Sequence, residues 1–466
     1  MRRWARRLLL AAAALPLLFG AMLAALHVVV SRGALTAQLD AALERAIGRA
    51  VTHGDISVRP GLRPRIALRD ATIANIEGGS EPHFARIGRL EVALAFLPLL
   101  ERRVEVYSLL LADADILLER NAQGDANWSF RRGGPRSAPA GLHIAELAIE
   151  SSRIRLPGAA IERIEVASLT VARDTPDSPL ELAGRIRLND EALAIEASLG
   201  AEAEGGLPLV AKVTGAGLRL GLHGTWPRGT AEPAWSLALE AQAERGVVQR
   251  LLRSFGQREL PLAPGPLEIK ARLGPGSPIP TVSDLTLRLG ATEADALLPG
   301  LRLARAELRA ASFDQRVALS AQGRLRGTEL GLVATLPSLR AMLHQPAETP
   351  WPIEATIASG PSRLTLAGGL RREAGLGATP FEARLVTPDL ARLGQAFGVA
   401  LPRLTGVTAS ARLSGLSTRE LRMAGLAVSS QMLDGQGDLA VTVAPRVALR
   451  GRLAMRRLDL DAAGGA

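Results

Sequence analysis

Residues 285–289 read Leu-Thr-Leu-Arg-Leu, and this alternation of aliphatic and polar residues decides the fold class. Successive side chains of a β-strand point to opposite faces, so the three leucines share one face, and Thr and Arg share the other. The same two-residue period recurs at residues 185–189, 363–366 and 438–443. The sequence therefore predicts many strands, each with one aliphatic face and one water-compatible face.

Turn signals separate these strands at short intervals. Gly, Pro, Asn and Asp cluster between the alternating stretches, for example at residues 200–206 and 274–280, as expected for turns between antiparallel neighbours. Two sheets could close face to face into sandwiches, or one continuous sheet could curl around its apolar face and leave a trough. Aromatic residues make up only 3% of the chain, and this shortage of bulky core-fillers favours the trough. The fold prediction is mainly β: an elongated, twisted, repetitive antiparallel sheet that forms a hydrophobic groove, with a few short helices.

The groove prediction names a set of lining residues. They are the aliphatic members of three alternating stretches, on the assumption that this face turns inward. The candidates are Leu285, Leu287, Leu289, Leu364, Leu366, Leu439, Val441 and Val443.

Internal repetition supports an elongated body. A helical piece ending at Phe255 precedes a strand ending at Leu273, and a second helix over residues 390–397 precedes a strand ending at Leu413. A weaker copy runs from Leu336 to a strand at residues 353–357. Repeats of this kind bury their apolar faces by stacking on neighbours.

The N-terminus predicts a membrane anchor. Residues 1–7 contain four arginines, and residues 8–30 contain no charge, which is long enough to cross a hydrocarbon core of about 30 Å. A cleavable signal peptide is the alternative, but its apolar region spans roughly 7–15 residues, and no small-x-small cleavage site follows here. Arginines remain on the cytoplasmic side, so we expect a single-pass protein of the cell inner membrane with residues 1–7 cytoplasmic and the bulk periplasmic. Residues 31–50 predict a membrane-proximal amphipathic helix.

Composition excludes several classes of function. The chain has no cysteine, which excludes disulfides, thiolate metal sites and cysteine nucleophiles. Its net charge of +10 comes from arginines that alternate with apolar residues, and the few aromatics do not suit a nucleic-acid platform. The six histidines are dispersed without metal-ligand spacing, and no nucleophile elbow, phosphate loop or dinucleotide fingerprint occurs. We therefore expect no enzyme activity, no catalytic, cofactor or metal site, and no nucleic-acid partner.

Two local patterns have ordinary explanations. Asp113 and Asp115 could form a catalytic carboxylate pair, but on a strand they would share one solvated face. The triplet at residues 127–129 fits a glycosylation acceptor, which we interpret as coincidence. We expect Trp128 and Phe130 instead to pin the end of an N-terminal module.

The region from residue 51 to residue 130 contains several short segments in a distinctive order and spacing. They are Pro60-Gly61-Leu62, IALRDATI (66–73), PHFARIGRL (82–90), Leu97-Pro98-Leu99-Leu100, ILLER (116–120) and GDANWSF (124–130). In order and spacing, these segments resemble the N-terminal module of the AsmA family, and residues 456–461 look like the family's later region. The predicted organisation is a β module over 51–130, a linker over 131–140 and a repetitive β-groove region over 141–466.

The resemblance implies an envelope protein that handles lipid, with phospholipid moving between the inner and outer membranes in support of outer-membrane assembly. The implied partners are membrane phospholipids and the inner membrane. About 25 strands spaced by roughly 4.8 Å would extend on the order of 120 Å, so envelope proteins that complete a bridge to the outer membrane are also expected. The alternative is a membrane-anchored scaffold or regulator of outer-membrane protein assembly, whose strands close on themselves without a groove.

Overall fold

A computed structural model describes most of the chain beyond residue 47. The described residues are 48–59, 61, 63–95, 106–129, 145–175, 178–201, 206–226, 235–257, 260, 264–276, 280–346, 348–371, 379–397, 401–415, 420–442 and 448–458. The predicted anchor, nearly all of the membrane-proximal helix and the predicted linker lie outside them. No helix within these residues is both long and apolar enough to cross a bilayer.

The described residues contain 25 strands and a few short helices, distributed over two compact units. Unit 1 comprises residues 1–216 and 254–257, and unit 2 comprises residues 217–253 and 258–466. The strands of unit 1 are β1 Val51–Thr52, β2 Ile56–Arg59, β3 Arg65–Ala74, β4 His83–Leu94, β5 Val106–Leu117, β6 Glu146–Arg155, β7 Arg163–Ala172, β8 Leu180–Leu188, β9 Glu191–Leu199 and β10 Leu207–Gly215.

Unit 2 contains the remaining elements. Its described helices are α1 Val247–Ser254, whose last residue belongs to unit 1, α2 Leu339–His344 and α3 Leu390–Phe397. Its strands are β11 Leu218–Trp226, β12 Ser236–Ala243, β13 Leu267–Gly274, β14 Thr281–Leu289, β15 Thr292–Glu293, β16 Leu301–Ala310, β17 Arg316–Leu325, β18 Thr328–Ser338, β19 Trp351–Ser359, β20 Ser362–Leu370, β21 Phe381–Asp389, β22 Thr405–Ser414, β23 Glu420–Ser429, β24 Leu433–Thr442 and β25 Ala448–Leu458.

The predicted antiparallel sheet is confirmed within each unit, with one exception. In unit 2 each strand pairs with the next along the chain, except that β14 and β15 both pair with β16. In unit 1, β5 and β6 run parallel. A parallel pair needs a connection of a dozen or more residues, and the segment after β5, which includes the predicted linker, has that length.

The short helices begin where local side chains cap them. Ser338 precedes α2, and its Oγ accepts a hydrogen bond from the backbone N of Ala341 at 3.2 Å. Asp389 precedes α3 and accepts from the backbone N of Arg392 at 3.1 Å. All three helices occupy the positions that the sequence repeats predicted.

Several of the fully buried side chains lie near the ends of strands. In unit 2 they include Leu237 and Val317 near the starts of their strands and Leu325 at the end of β17. Val247, the first residue of α1, is also buried. Buried residues also occur inside strands, for example Ala271 and Ala334, but most aliphatic residues in the middle of the unit 2 strands are only half-buried.

Candidate functional site

An uninterrupted row of apolar residues crosses unit 2 from β11 to β25. Residues that are directly opposite on paired strands point to the same face, so the strand register defines this first apolar row. Its members are Leu218, Ala243, Leu267, Leu289, Ala306, Ala321, Leu332, Ile357, Leu364, Leu385, Ala409, Val428, Gly435 and Met455. At about 4.8 Å per strand, the row is on the order of 60 Å long.

A second apolar row runs beside the first on the same face. Its members are Leu220, Ala241, Ile269, Leu287, Leu308, Leu319, Ala334, Ala355, Leu366, Ala383 and Ala411. No charged or hydroxyl side chain interrupts either row. The two rows define the apolar face of unit 2.

The structure places all the described candidate lining residues on this one face. Leu289 and Leu364 belong to the first row, and Leu287 and Leu366 belong to the second. Leu285 lies two positions before Leu287, and Leu439 and Val441 follow Gly435 of the first row at even spacing along β24. Val443 lies outside the described residues. Contact of these residues with a ligand stays a prediction.

Most side chains of the apolar face are half-buried, although Ala243 and Ala334 are buried and Met455 is exposed. Leu287, Leu364 and Leu366 are each of intermediate exposure, whereas their strand neighbours Arg288 and Arg363 are exposed. Side chains inside a filled sandwich would be fully buried. The apolar face is therefore an open aliphatic surface that an apolar ligand could cover.

Glycines on the apolar face show that the sheet curls towards it. A Cβ added at Gly323 would lie 2.4 Å from the carbonyl oxygen of Arg302, and one added at Gly437 would lie 1.9 Å from that of Arg452. Gly323 follows Ala321 of the first row by two residues and pairs with Leu303, and Gly437 follows Gly435 by two residues and pairs with Leu453, so both glycines lie on the apolar side. Because the missing Cβ would point to the apolar side, the neighbouring strand must approach from that side. The sheet is therefore locally concave around its apolar face.

Unit 1 repeats this arrangement. Its cross-strand row runs from β2 to β10 and consists only of aliphatic residues and one glycine. The members are Ile56, Leu68, Leu90, Leu111, Ile149, Leu169, Gly184, Ile195 and Val213. A Cβ added at Gly184 would lie 2.7 Å from the carbonyl oxygen of Ser168 on the neighbouring strand.

The opposite, polar face of unit 2 has a shallow cavity of about 730 Å³ over β18–β23. Hydroxyl and charged side chains line it, among them Thr356, Thr365 and Ser410. Glu382 and Arg412 form an ion pair across it at 3.9 Å. An acyl chain would have to displace water from these polar groups, which is unfavourable, so the apolar face is the better candidate site.

The carboxylates Asp113 and Asp115 do not form a matched pair. Asp113 has a left-handed backbone with φ of 53° and is exposed, whereas Asp115 is half-buried. Asp115 instead accepts a hydrogen bond from Nε of Arg155 at 2.8 Å. Arg155 also donates to Glu81 through Nη2 at 3.0 Å, so these acids tie strands together.

Removing Arg155 is expected to change the acid stability of unit 1. The hydrogen bond from Arg155 holds the pKa of Glu81 below its ordinary value. A lowered pKa stabilises the fold above the unfolded-state pKa of about 4.3, and this stabilisation is lost as the pH falls through the folded-state pKa. Arg155→Met should lower the free energy of unfolding by about 1 kcal/mol at pH 7, after solvent screening, and by less at pH 3. Urea titrations at both pH values measure this, and Arg153→Met, at an exposed arginine of the same strand, is the control. An equal loss at both pH values would contradict the ion-pair explanation.

Asn127, the first residue of the triplet that resembles a glycosylation acceptor, holds this part of the fold together through hydrogen bonds. It is completely buried, and its Nδ2 donates to Asn75 at 3.0 Å and to the carbonyl of Leu117 at 2.9 Å. Its Oδ1 accepts from the backbone N of Glu119 at 3.0 Å. Trp128 is exposed, with Arg120 over its ring at 5.3 Å, so Asn127 rather than Trp128 pins this end of the module. Phe130 lies outside the described residues.

Comparisons with known proteins identify one family. The model of the AsmA family matches residues 1–133, which include the segments that carry the resemblance seen in the sequence. No curated protein and no solved structure matches the chain. Among the described residues, no cluster of His, Asp or Glu side chains could hold a metal ion.

Proposed function

Residues 1–133 belong to the AsmA family, and from this premise we propose that the chain is an inner-membrane-anchored periplasmic protein that carries phospholipid between the inner and outer membranes. Residues 8–30 would anchor it, and the apolar face would hold acyl chains while headgroups stay in water. No bond is made or broken in this process. The protein acts as a surface along which lipid diffuses.

The observation that carries the proposal is the continuity of the first apolar row. From Leu218 to Met455 an acyl chain would meet no charged or hydroxyl side chain along the row. Each methylene that leaves water contributes about 0.8 kcal/mol, so a chain is retained at any point. Because successive strands offer similar aliphatic surfaces, neighbouring positions differ little in free energy, and this permits sliding.

The half-burial of the apolar face favours lipid handling over the scaffold function. A scaffold whose strands close on themselves would need this face to be filled by its own side chains. Leu287 and Leu366 keep intermediate exposure instead. A bound lipid would remove the remaining exposed surface of these side chains from water.

Site-specific photocrosslinking in cells tests the proposal. A photoreactive residue in place of Leu287 should capture phospholipid, detected by mass spectrometry of the purified full-length chain. The same residue in place of Arg288 is the matched control, because Arg288 is adjacent but exposed on the polar face. If position 287 captures no more lipid than position 288, the apolar face is not the carrying surface.

A further inference from the structure

We propose that the polar face of β2–β4 is a docking surface for an anionic lipid bilayer. We define the arginine patch as Arg59, Arg65, Arg69, Arg86 and Arg89, all of which are exposed. The inference rests on the proposed anchoring of residues 8–30, and it adds a second, electrostatic contact between the protein and the membrane.

The strand register of the patch places like charges opposite each other. Arg59 pairs with Arg65, and Arg69 pairs with Arg89. Like charges in directly opposite positions destabilise a sheet. In unit 2, by contrast, Arg288 faces Glu307 with Nε 2.9 Å from Oε1, and Arg324, which faces Arg302, forms an ion pair with Glu329. The patch is therefore a local excess of positive charge that an external anion would stabilise.

The acidic groups near the patch neutralise only part of it. Glu91 is 7% exposed, and it accepts a hydrogen bond from Arg65 at 3.1 Å and another from Arg89. Arg59, Arg69 and Arg86 form no ion pair with any described residue. Asp115, opposite Arg86, is bonded to Arg155 instead.

Exposed carboxylates also lie close to the patch. Asp70 lies on β3 beside Arg69, and Asp113 lies on β5 opposite Gly88; neither forms an ion pair within the described part of the chain. On β2–β4 themselves, the five guanidinium groups outnumber the two carboxylates, those of Asp70 and Glu91. The excess of positive charge on these strands is exposed to solvent.

The form and position of the patch favour a membrane over a small anion. The arginines form a grid over three adjacent strands, and they line neither the 730 Å³ cavity of unit 2 nor the 630 Å³ cavity over β6–β10. The patch begins at Arg59, fewer than thirty residues after the predicted span ends at residue 30, so the anchor keeps it near the bilayer. Each arginine close to an anionic surface favours contact by about fivefold.

A single fluorescent label tests the contact, and the absence of cysteine from the chain allows its placement. Ser57→Cys labels the exposed polar face beside the patch, and Ser410→Cys labels the polar face of unit 2. In full-length protein in nanodiscs, we expect acrylamide to quench the label at 57 less when the bilayer contains 30% phosphatidylglycerol than when it is neutral. The label at 410 should not change, and 0.5 M salt should abolish the difference.

Charge neutralisation supplies the matched comparison. Arg59→Gln combined with Arg69→Gln should weaken the contact by about thirtyfold. Arg363→Gln combined with Arg384→Gln removes the same charge from exposed positions of unit 2 and should have no effect. Equal quenching at position 57 in both bilayers, or equal effects of the two double variants, would overturn the proposal.

A separate measurement tests the anchor. Resistance of the chain to carbonate extraction reports insertion of residues 8–30. If the chain does not insert, the patch can still be tested. Neutral vesicles and vesicles with 30% phosphatidylglycerol are then added to the labelled protein, and acrylamide quenching of the label at position 57 is compared between them. Failure of the proposed anchor, failure of lipid capture at position 287 and failure of the patch are therefore distinguishable.

Discussion

Leu366→Glu is expected to abolish most lipid transfer by the full-length chain. Leu366 lies in the second apolar row between Ala355 and Ala383, so a carboxylate there would interrupt the aliphatic surface from within. A passing acyl chain would have to desolvate the charge, and a cost of about 2 kcal/mol would slow passage by roughly thirtyfold. The measurement is transfer of labelled phospholipid from vesicles that carry the anchored protein to acceptor vesicles.

Thr365→Glu is the matched control for this substitution. Thr365 is the neighbouring residue on β20, is exposed on the polar face and lies opposite Arg384, so the same charge is added without touching the apolar face. We expect near-normal transfer. Circular dichroism of both variants checks that β-structure is retained. If Leu366→Glu keeps its structure and transfers lipid as fast as Thr365→Glu does, the apolar face is not the route.

Gly323→Ala is expected to have the second largest effect, through the curl of the sheet. The added Cβ would lie 2.4 Å from the carbonyl oxygen of Arg302 and 3.1 Å from Cα of Leu303, closer than side-chain carbons approach backbone oxygen. Strands β16 and β17 must separate or flatten, and overpacking of this kind costs about 1–3 kcal/mol. Faster hydrogen exchange in β16 and β17 would report the loss, and lipid transfer should fall with it because a flatter face encloses an acyl chain less well.

Gly331→Ala separates the steric effect from the general effect of replacing glycine. Gly331 lies on the next strand, β18, opposite Gln322, and an added Cβ there would meet no atom within 4 Å. This variant should be neutral or stabilise the fold by about 0.5 kcal/mol, because alanine restricts the unfolded chain more than glycine does. If hydrogen exchange in β16 and β17 is equally slow in Gly323→Ala and Gly331→Ala, the close approach at Gly323 does not determine the curl of the sheet.

Local pattern was sufficient to locate most elements. The alternating stretches at residues 185–189, 285–289, 363–366 and 438–443 coincide, to within a residue, with parts of β8, β14, β20 and β24. The helices before Pro261 and Pro402 also lie where the sequence repeats placed them. These features follow from the two-residue period of strands and from capping and turn residues, which act over a few neighbouring positions.

The sequence pattern did not predict the residues inside strands that have a left-handed backbone. Asp70 and Ser151 have φ values of 50° and 44°, and Asp284 has a φ of 50°. At Asp284 the pairing of β14 with β13 shifts by one residue, so a face assigned from one end of β14 is wrong at the other. Aspartate and serine also occur in ordinary turns. The residues next to them do not distinguish a turn from a left-handed residue inside a strand. The parallel pairing of β5 with β6 is likewise a property of strand arrangement.

The sequence by itself determined that this chain forms strands with one aliphatic face, and its N-terminal third carried the family resemblance. Only the tertiary structure decided that the leucines of β14 and β20 share one continuous face, because that depends on the register of every strand between them. It also decided that the face is concave, through close approaches such as that of Gly323 to Arg302. The physical reason is that side-chain alternation is a local property of the backbone, whereas register and curl result from contacts between strands.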